Sequence, residues 1–449
     1  MNRKLSLTYQ LLIESLIGVI VFFILSFIGL TSYSPEVTAV GWFFFLTIVL
    51  FSCSAAVIQG TNERIVFWMS YIVKLAYMAF SLRGQDYTNP VLGTDAFGFW
   101  RVASQYYEGI FYTKYTAFPY VINAEFHIFG KNIACCLLTN IFFSMIMLLF
   151  VFLLLNKFKI IGNIRFFVDC IACFLPYSII VNASLLREPI YFALISISFY
   201  EFVLYLETKN TRYLYFAVCL MLPVLILHIG YFPIPLIYFC ISMKISNINT
   251  KKGLLISILQ MFVLIIFIIS VMNIGSTGYI IRGDTFAAEY VFNRISGEFH
   301  YKDTLDAGSA YLLNLQAHSW GDAILYTPIR AFYYLFSPLP TNWRGITDIA
   351  AFILDSCIHF YVLINALIYV RQIKRAKRDR DKVTLEETNV KNYLVRMGLW
   401  QILLCAVIFG LGTATAGTAI RHRDVLLPIE ALVLAVCLQN KKERAIRKA

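Results

Sequence analysis

Apolar residues in this chain come in long runs separated by short polar stretches, and the runs have the length of a lipid bilayer. They cover about 10–32, 39–60, 65–82, 131–155, 162–182, 188–206, 213–229, 232–245, 253–274, 348–371, 394–412 and 424–438. A membrane-crossing helix needs about 20 apolar residues. The pattern therefore predicts an all-α polytopic transmembrane bundle of about twelve spans, forming one membrane-embedded domain over residues 1–449. Short alternating segments of the kind that build a transmembrane barrel are not seen. The first run follows a basic start and reads as a retained signal anchor, being too long for the apolar core of a cleaved leader.

Composition agrees: 59% of the 449 residues are hydrophobic and 14% are charged, against about 25% charged in a typical soluble chain. The net charge of +12 reads as membrane topology, not nucleic-acid binding. With the N-terminus in the cytoplasm, most Lys and Arg fall on that side, including Arg64, Lys157, Arg212, Lys252, the cluster from Arg371 to Lys382 and the tail from Lys441 to Lys448. Such a bias is the positive-inside rule. It places both termini in the cytoplasm, and two long loops outside, 83–130 and 273–348. The ten cysteines sit in or beside apolar runs and read as packing residues. Cys170 and Cys173 form a lone C-x-x-C without a second pair.

The polar residues able to do chemistry gather on the outer side. Asp95 leads a loop rich in aromatic residues, where partial desolvation would make it a better base near neutral pH; it would equally cap the helix that follows. Arg187 and Glu188 begin a span after a tight turn, and Arg suits bidentate phosphate contacts; snorkelling to the interface is the plainer role. Arg421, His422 and Arg423 are a basic cluster just outside a span, against the charge rule. An anionic ligand would explain it, as would lipid headgroups or an ion pair with Asp424. Glu108, His228, His318 and Asp322 are further substrate-binding candidates beside Glu188 and His422. The second outer loop also carries Arg282, Asp284, Glu298, His300, Arg330 and Arg344. No H-x-x-x-H spacing, Walker loop, G-x-S-x-G or G-x-G-x-x-G is present, so no resident metal or other cofactor is expected, a divalent cation remaining open.

The pattern Asp95…Phe99-Trp100…Ala103…Glu108-Gly109…Tyr115…Pro119-Tyr120…Ala124…Phe129-Gly130 resembles the first long outer loop of the C-type (GT-C) membrane glycosyltransferases. That group includes the protein O-mannosyltransferases and the aminoarabinose transferase of lipid A. Arg421-His422-Arg423…Pro428 resembles a late arginine motif of the same group and of some O-antigen polymerases. The likeness covers about 50 residues well and the remainder by layout. It departs from the family in having Ala96 after Asp95 where many members have a second acid, two extra spans before the loop where the family often has one, and no sizeable soluble C-terminal domain.

The resemblance implies an inverting glycosyltransferase in the bacterial inner membrane, taking its sugar from a polyprenyl-phosphate donor for a glycan or glycolipid acceptor. Asp95 would be the catalytic base, and Arg187, Arg421 and Arg423 would hold the donor phosphate. Two other readings stay open. One is an O-antigen or capsule repeat-unit polymerase acting on polyprenyl-diphosphate oligosaccharides. The other is a lipid-linked oligosaccharide flippase or transporter, for which Asp169 and Asp355 inside spans speak.

Overall fold

The computed structural model describes residues 34–110, 117–245, 255, 258, 262, 310–312, 315, 319–378, 385–413 and 415–448. The expected span at 10–32, most of the one at 253–274, and Tyr115, Arg282, Asp284, Glu298, His300 and His318 lie outside them. The described chain is helical, with no strand among those residues.

The helices in order are α1 (Pro35–Val57), α2 (Thr61–Ser81), α3 (Thr94–Tyr107), α4 (Phe118–Phe129), α5 (Ile133–Lys157), α6 (Gly162–Phe174), α7 (Pro176–Asn182), α8 (Glu188–Thr208), α9 (Thr211–Leu227) and α10 (Pro233–Ile245). Then come α11 (Trp320–Phe336), α12 (Ile346–Ala351), α13 (Cys357–Arg378), α14 (Leu385–Gly412), α15 (Ala416–Arg423) and α16 (Leu427–Lys448). A π-helical turn, Phe352–Ser356, joins α12 to α13.

Among the described residues, five helical stretches are long and apolar enough to cross a membrane: α1, α5, α8, the continuous run Ile346–Arg375 and Val390–Gly412 of α14. The pair α6 and α7, bent by 47°, makes a sixth if it counts as one broken span. The remaining expected spans that are described coincide with other helices. Among these, α9 and α10 are apolar but short, 17 and 13 residues. On α1, Val37, Val40, Phe44, Ile48 and Phe51 are exposed, at steps of three and four that make one stripe. Phe360, Ile364 and Leu367 repeat this on α13. Exposed apolar stripes of this extent mark a surface covered by something other than water, and together with the span lengths they make this a membrane protein.

Where the outer loop 83–130 is expected, the chain forms two amphipathic helices packed on each other, α3 and α4. Trp100 and Tyr107 meet Phe126 edge-on, at 4.7 and 6.0 Å between ring centres, and Tyr106 stacks on Tyr120 at 4.6 Å. The aromatic spacing of the stretch thus serves a helix–helix core.

The residues group into two compact units, Met1–Leu153 with Ile179–Ala193, and Leu154–Ser178 with Leu194–Ala449. Within the first, α3 and α4 pack together and Asn132 ties the start of α5 to the start of α1, its Nδ2 donating to the Pro35 carbonyl at 2.7 Å. Within the second, α14 packs against α10, α11, α13, α15 and α16, and α16 also lies against α6 and α13. From Val425 to Cys437 every described side chain is buried, so this helix is the unit's inner member. Its crossing with α14 depends on Gly398, where a Cβ would come within 2.5 Å of Val433. At the α11–α14 crossing, a Cβ on Gly410 would come within 2.8–2.9 Å of the backbone of Arg330 and Ala331. Small residues at such crossings are how membrane helices approach closely.

Candidate functional site

The second unit holds a buried charged centre where α13 meets the junction of α15 and α16. Asp355 closes the π-turn and His359 follows one helical turn later, so the two share a face. Isolated π-turns inside helices often accompany functional sites. From the other side, α15 ends on Arg423 and a single 3-10 turn, Asp424–Leu426, leads into α16, which carries Glu430. All five charged or ionisable side chains are at most 3% exposed.

Arg423 is fully engaged. Its Nε donates to Asp355 Oδ1 at 2.9 Å, and Nη2 donates to the same oxygen and to Ser356 Oγ. Nη1 donates to the carbonyls of Leu335 and Ser337 at 2.9 and 2.8 Å, with Tyr334 O at 3.4 Å. The expected partner, Asp424, is not used; the guanidinium instead ties the end of α11 to the start of α13. His359 Nδ1 lies 2.6 Å from Glu430 Oε2. Its Nε2 lies 3.4 Å from Asp355 Oδ1 and 3.5 Å from Asp424 Oδ1. Among the described residues, His359 Nε2, Asp355 Oδ2 and both Asp424 carboxylate oxygens have no hydrogen-bond partner. Asp355, His359 and Asp424 offer ligand atoms within 4.8 Å of one another.

Beside this centre lies a cavity of about 240 Å³, lined by Ala310, Tyr311, Ser337, Pro338, Thr341, Asn342, Trp343, Arg344 and Ala416. Ser337 links the two: its carbonyl accepts from Arg423 and from Ser356 Oγ, the latter at 2.9 Å. The Ser337 and Tyr311 hydroxyls are buried without a partner among the described residues. Trp343 is oriented by its Nε1 donating to Pro338 O at 3.2 Å, and Arg344 by a two-point pair with Asp348, both bonds 2.9 Å. Behind the wall, Arg330 is buried and donates to the carbonyls of Leu411 and Leu315 at 2.9 and 3.0 Å. Burial lowers Arg330 to about 10, while Tyr311 works in the opposite direction.

The other sequence candidates separate between the two units. In the first unit, Asp95 sits exposed in the first turn of α3, where a carboxylate complements the helix dipole; the enclosed setting expected from its aromatic neighbours is not what surrounds it. Arg187 stands 5.9 Å over the ring of Phe99, four residues on from Asp95 and so on the same face. The turn before it is held by Asn140, whose Nδ2 donates to the carbonyls of Ser184 and Leu186 at 2.7 and 2.9 Å. Glu188 is buried at the start of α8. Glu108 pairs with Lys131 on the exposed end of α3.

In the second unit, His228 and His422 lie 4.8 Å apart, ring to ring, packed with Phe409 and Tyr231. They are parts of an aromatic cluster: His228 Nδ1 accepts from Gly230 N, and Tyr231 Oη lies 3.4 Å from His422 Nδ1. Arg421 is half-buried on α15. Asp322 stands in the first turn of α11, its backbone N–H capped by Ser319 Oγ at 3.1 Å. Asp169 is neutralised inside the unit by Arg165, Nε to carboxylate 2.8–2.9 Å, and Asn156 accepts from the same guanidinium at 2.7 Å.

Three residues escaped the sequence reading. His359 and Glu430 carry no motif, although Asp355-x-x-x-His359 is a helical i, i+4 pair as legible as H-x-x-x-H. Glu125 lies within the aromatic stretch on α4. Burial pushes its carboxyl up to about 7, against hydrogen bonds from the Cys136 and Thr139 side chains that favour the ionised form.

Compared with protein-family models, with curated proteins and with solved structures, the chain matches none.

Proposed function

We propose that this chain is a membrane glycosyltransferase of the extracytoplasmic face, drawing its sugar from a polyprenyl-phosphate donor in cell-envelope polysaccharide or glycolipid assembly. The observation that carries the reading is the cavity beside Ser337. It combines two aromatic rings, Tyr311 and Trp343, with Ser337, Thr341, Asn342 and Arg344, and two of its hydroxyls await a partner. Aromatic faces with a few fixed polar groups suit a sugar ring: the rings cover its C–H surface and the polar groups take its hydroxyls.

The arrangement proposed in the bilayer is about twelve spans, both termini in the cytoplasm of a bacterial inner membrane, and the segments 83–130 and 273–348 outside. The phosphate role falls to Arg421 and Arg187. Arg423, with all its donors taken by the protein, holds the carbonyl of the cavity residue Ser337 instead. In the transfer step the acceptor hydroxyl oxygen bonds to the anomeric carbon and its proton passes to the Asp95 carboxylate. The bond from that carbon to the phosphate oxygen breaks, the electron pair leaving with the phosphate, which the arginines stabilise. One displacement inverts the anomeric centre. A repeat-unit polymerase would perform the same step on a diphosphate-linked oligosaccharide.

One observation favours the transporter reading: a candidate span, Ile346–Arg375, is interrupted by a π-turn just where it carries the buried Asp355 and His359. Ionisable groups at a helix break are the usual furniture of transport sites.

The deciding experiment is mass spectrometry of lipid that co-purifies with the protein, followed by transfer assays with synthetic polyprenyl-phosphate sugars. A new glycosidic bond formed with inverted stereochemistry is the expected result. Movement of an intact lipid-linked glycan across a vesicle membrane, with no bond formed, would replace the transferase by the transporter.

A further inference from the structure

We infer that Asp355, His359 and Asp424 form a binding site for one divalent transition-metal ion, with Glu430 as the group that orients the histidine.

Charge makes the first argument. Three buried carboxylates, Asp355, Asp424 and Glu430, face one buried guanidinium, Arg423, and one imidazole. With the imidazole neutral, the centre carries a formal charge of −2. Uncompensated charge in a low-dielectric interior is costly by several kcal/mol per ion. A divalent cation brings the sum to zero.

Geometry makes the second. Zn–N and Zn–O bonds are about 2.0–2.2 Å, so two ligands at a tetrahedral ion stand about 3.4 Å apart. His359 Nε2 stands 3.5 Å from Asp424 Oδ1, and one ligand atom each from Asp355, His359 and Asp424 lies within 4.8 Å of the other two. The Asp424 contact lacks the direction of a hydrogen bond, yet it has the spacing of a ligand edge. The atoms without a partner are the ones a metal would take: His359 Nε2, Asp355 Oδ2 and the Asp424 oxygens.

The surroundings make the third. Glu430 accepts from Nδ1, which leaves the Nε2 lone pair aimed at the two aspartates. A carboxylate–histidine–metal relay of this kind fixes the ring and raises its basicity. Arg423 occupies Asp355 Oδ1 and leaves Oδ2 available. One imidazole with two carboxylates fits Zn²⁺ or Mn²⁺. The fourth position is open to water or to a ligand group.

The rival account neutralises the same charge with two protons, one on His359 and one on a carboxyl. The two differ in what Asp424→Asn does. The Asp424 carboxylate oxygens accept no hydrogen bond among the described residues, so the isosteric amide removes a ligand while keeping the side chain's shape. The full chain, purified in detergent with a tag free of histidine, would be stripped with chelator and titrated with Zn²⁺ and with Mn²⁺. Metal content, midpoint of thermal unfolding and, with Co²⁺, the visible spectrum would be read.

About one ion per chain is expected, raising the unfolding midpoint and giving Co²⁺ bands. Asp424→Asn should lose the ion and the metal-dependent rise. Glu430→Gln, which keeps every metal ligand, should weaken affinity by roughly ten- to a hundredfold. Wild-type protein that takes up no ion overturns the site, as does Asp424→Asn that retains one. If the Asn variant fails to fold, an unchanged affinity in Glu430→Gln overturns it instead. No outcome depends on glycosyl transfer, so this site and the proposed activity stand or fall separately.

Discussion

Glu430 Oε2 stands 2.6 Å from His359 Nδ1, a bond between two residues 71 positions apart that fastens the innermost helix of the second unit to α13. Its consequence is directional. While the ring is neutral and its Nδ1 proton points at Glu430, the other nitrogen turns its lone pair toward Asp355 and Asp424. A solitary buried histidine would have no such fixed orientation. The bond also accounts for a polar residue inside the otherwise apolar run from Val425 to Cys437.

Arg423 is expected to behave as a structural residue. Replacing it with Ala leaves Asp355 buried and uncompensated, and breaking a buried pair in this way costs about 3–5 kcal/mol. Arg423→Lys should recover only part, because an ammonium cannot reach Asp355, Ser356 and three carbonyls at once. Denaturant or thermal unfolding in detergent measures both. Adding Asp355→Asn to Arg423→Ala should restore part of the loss; a double variant no better than the single would show that the pair is not coupled.

Asp95 should matter to activity and little to stability. Asp95→Asn keeps the shape and removes the proton acceptor, so transfer should fall by about a hundredfold or more. Because the side chain is exposed in the first turn of α3, the unfolding midpoint should change far less than the rate. Wild-type rates in the Asn variant would return Asp95 to the role of a helix-start carboxylate.

Glu125 should make the protein's stability depend on pH in the acid-to-neutral range. Its carboxyl titrates near 7 when folded and near 4.5 otherwise. The native state thus holds a proton that the unfolded state has lost between those values, and stability declines as pH rises from about 4.5 to about 7. Above that window the contribution is gone. Unfolding midpoints across pH 5 to 8 for wild type and Glu125→Gln would show it: the Gln variant should lack this component of the slope.

Gly410 should tolerate no side chain. A methyl there meets the backbone of α11 at 2.8–2.9 Å, which cannot yield as a flexible side chain would. Gly410→Ala should destabilise by about 1–3 kcal/mol, as overpacking does. Gly412→Ala, two residues on, meets nothing within 4 Å and serves as the control. Equal unfolding midpoints for the two variants would contradict the close crossing of α11 and α14.

Much of the fold was readable in the residue pattern. Continuous apolar runs predicted α1, α5, α8, the span through α13, and α14, because hydrophobicity over about 20 residues is a local property of the chain. The stretch of α3 and α4 was expected as an outer loop, with a helix after Asp95 as one of its readings, and the pairing of the two helices was not readable. Their amphipathic faces acquire meaning only when each covers the other.

The site divided along the same line. The sequence alone marked Asp355 as a charge inside an apolar span and Arg423 as part of a basic cluster on the wrong side of the charge rule, since both conflicts are visible residue by residue. It could not pair them, and the neighbour in sequence, Asp424, was the natural but unused partner for Arg423. Consecutive residues at a helix junction project in different directions, so Arg423 turns to α13 and α11 while Asp424 faces His359. Which charges meet depends on where α13, α15 and α16 cross, and those crossings are decided by side-chain packing between segments some 70 residues apart. Span positions were therefore fixed by local hydrophobicity, and the charged centre by tertiary packing.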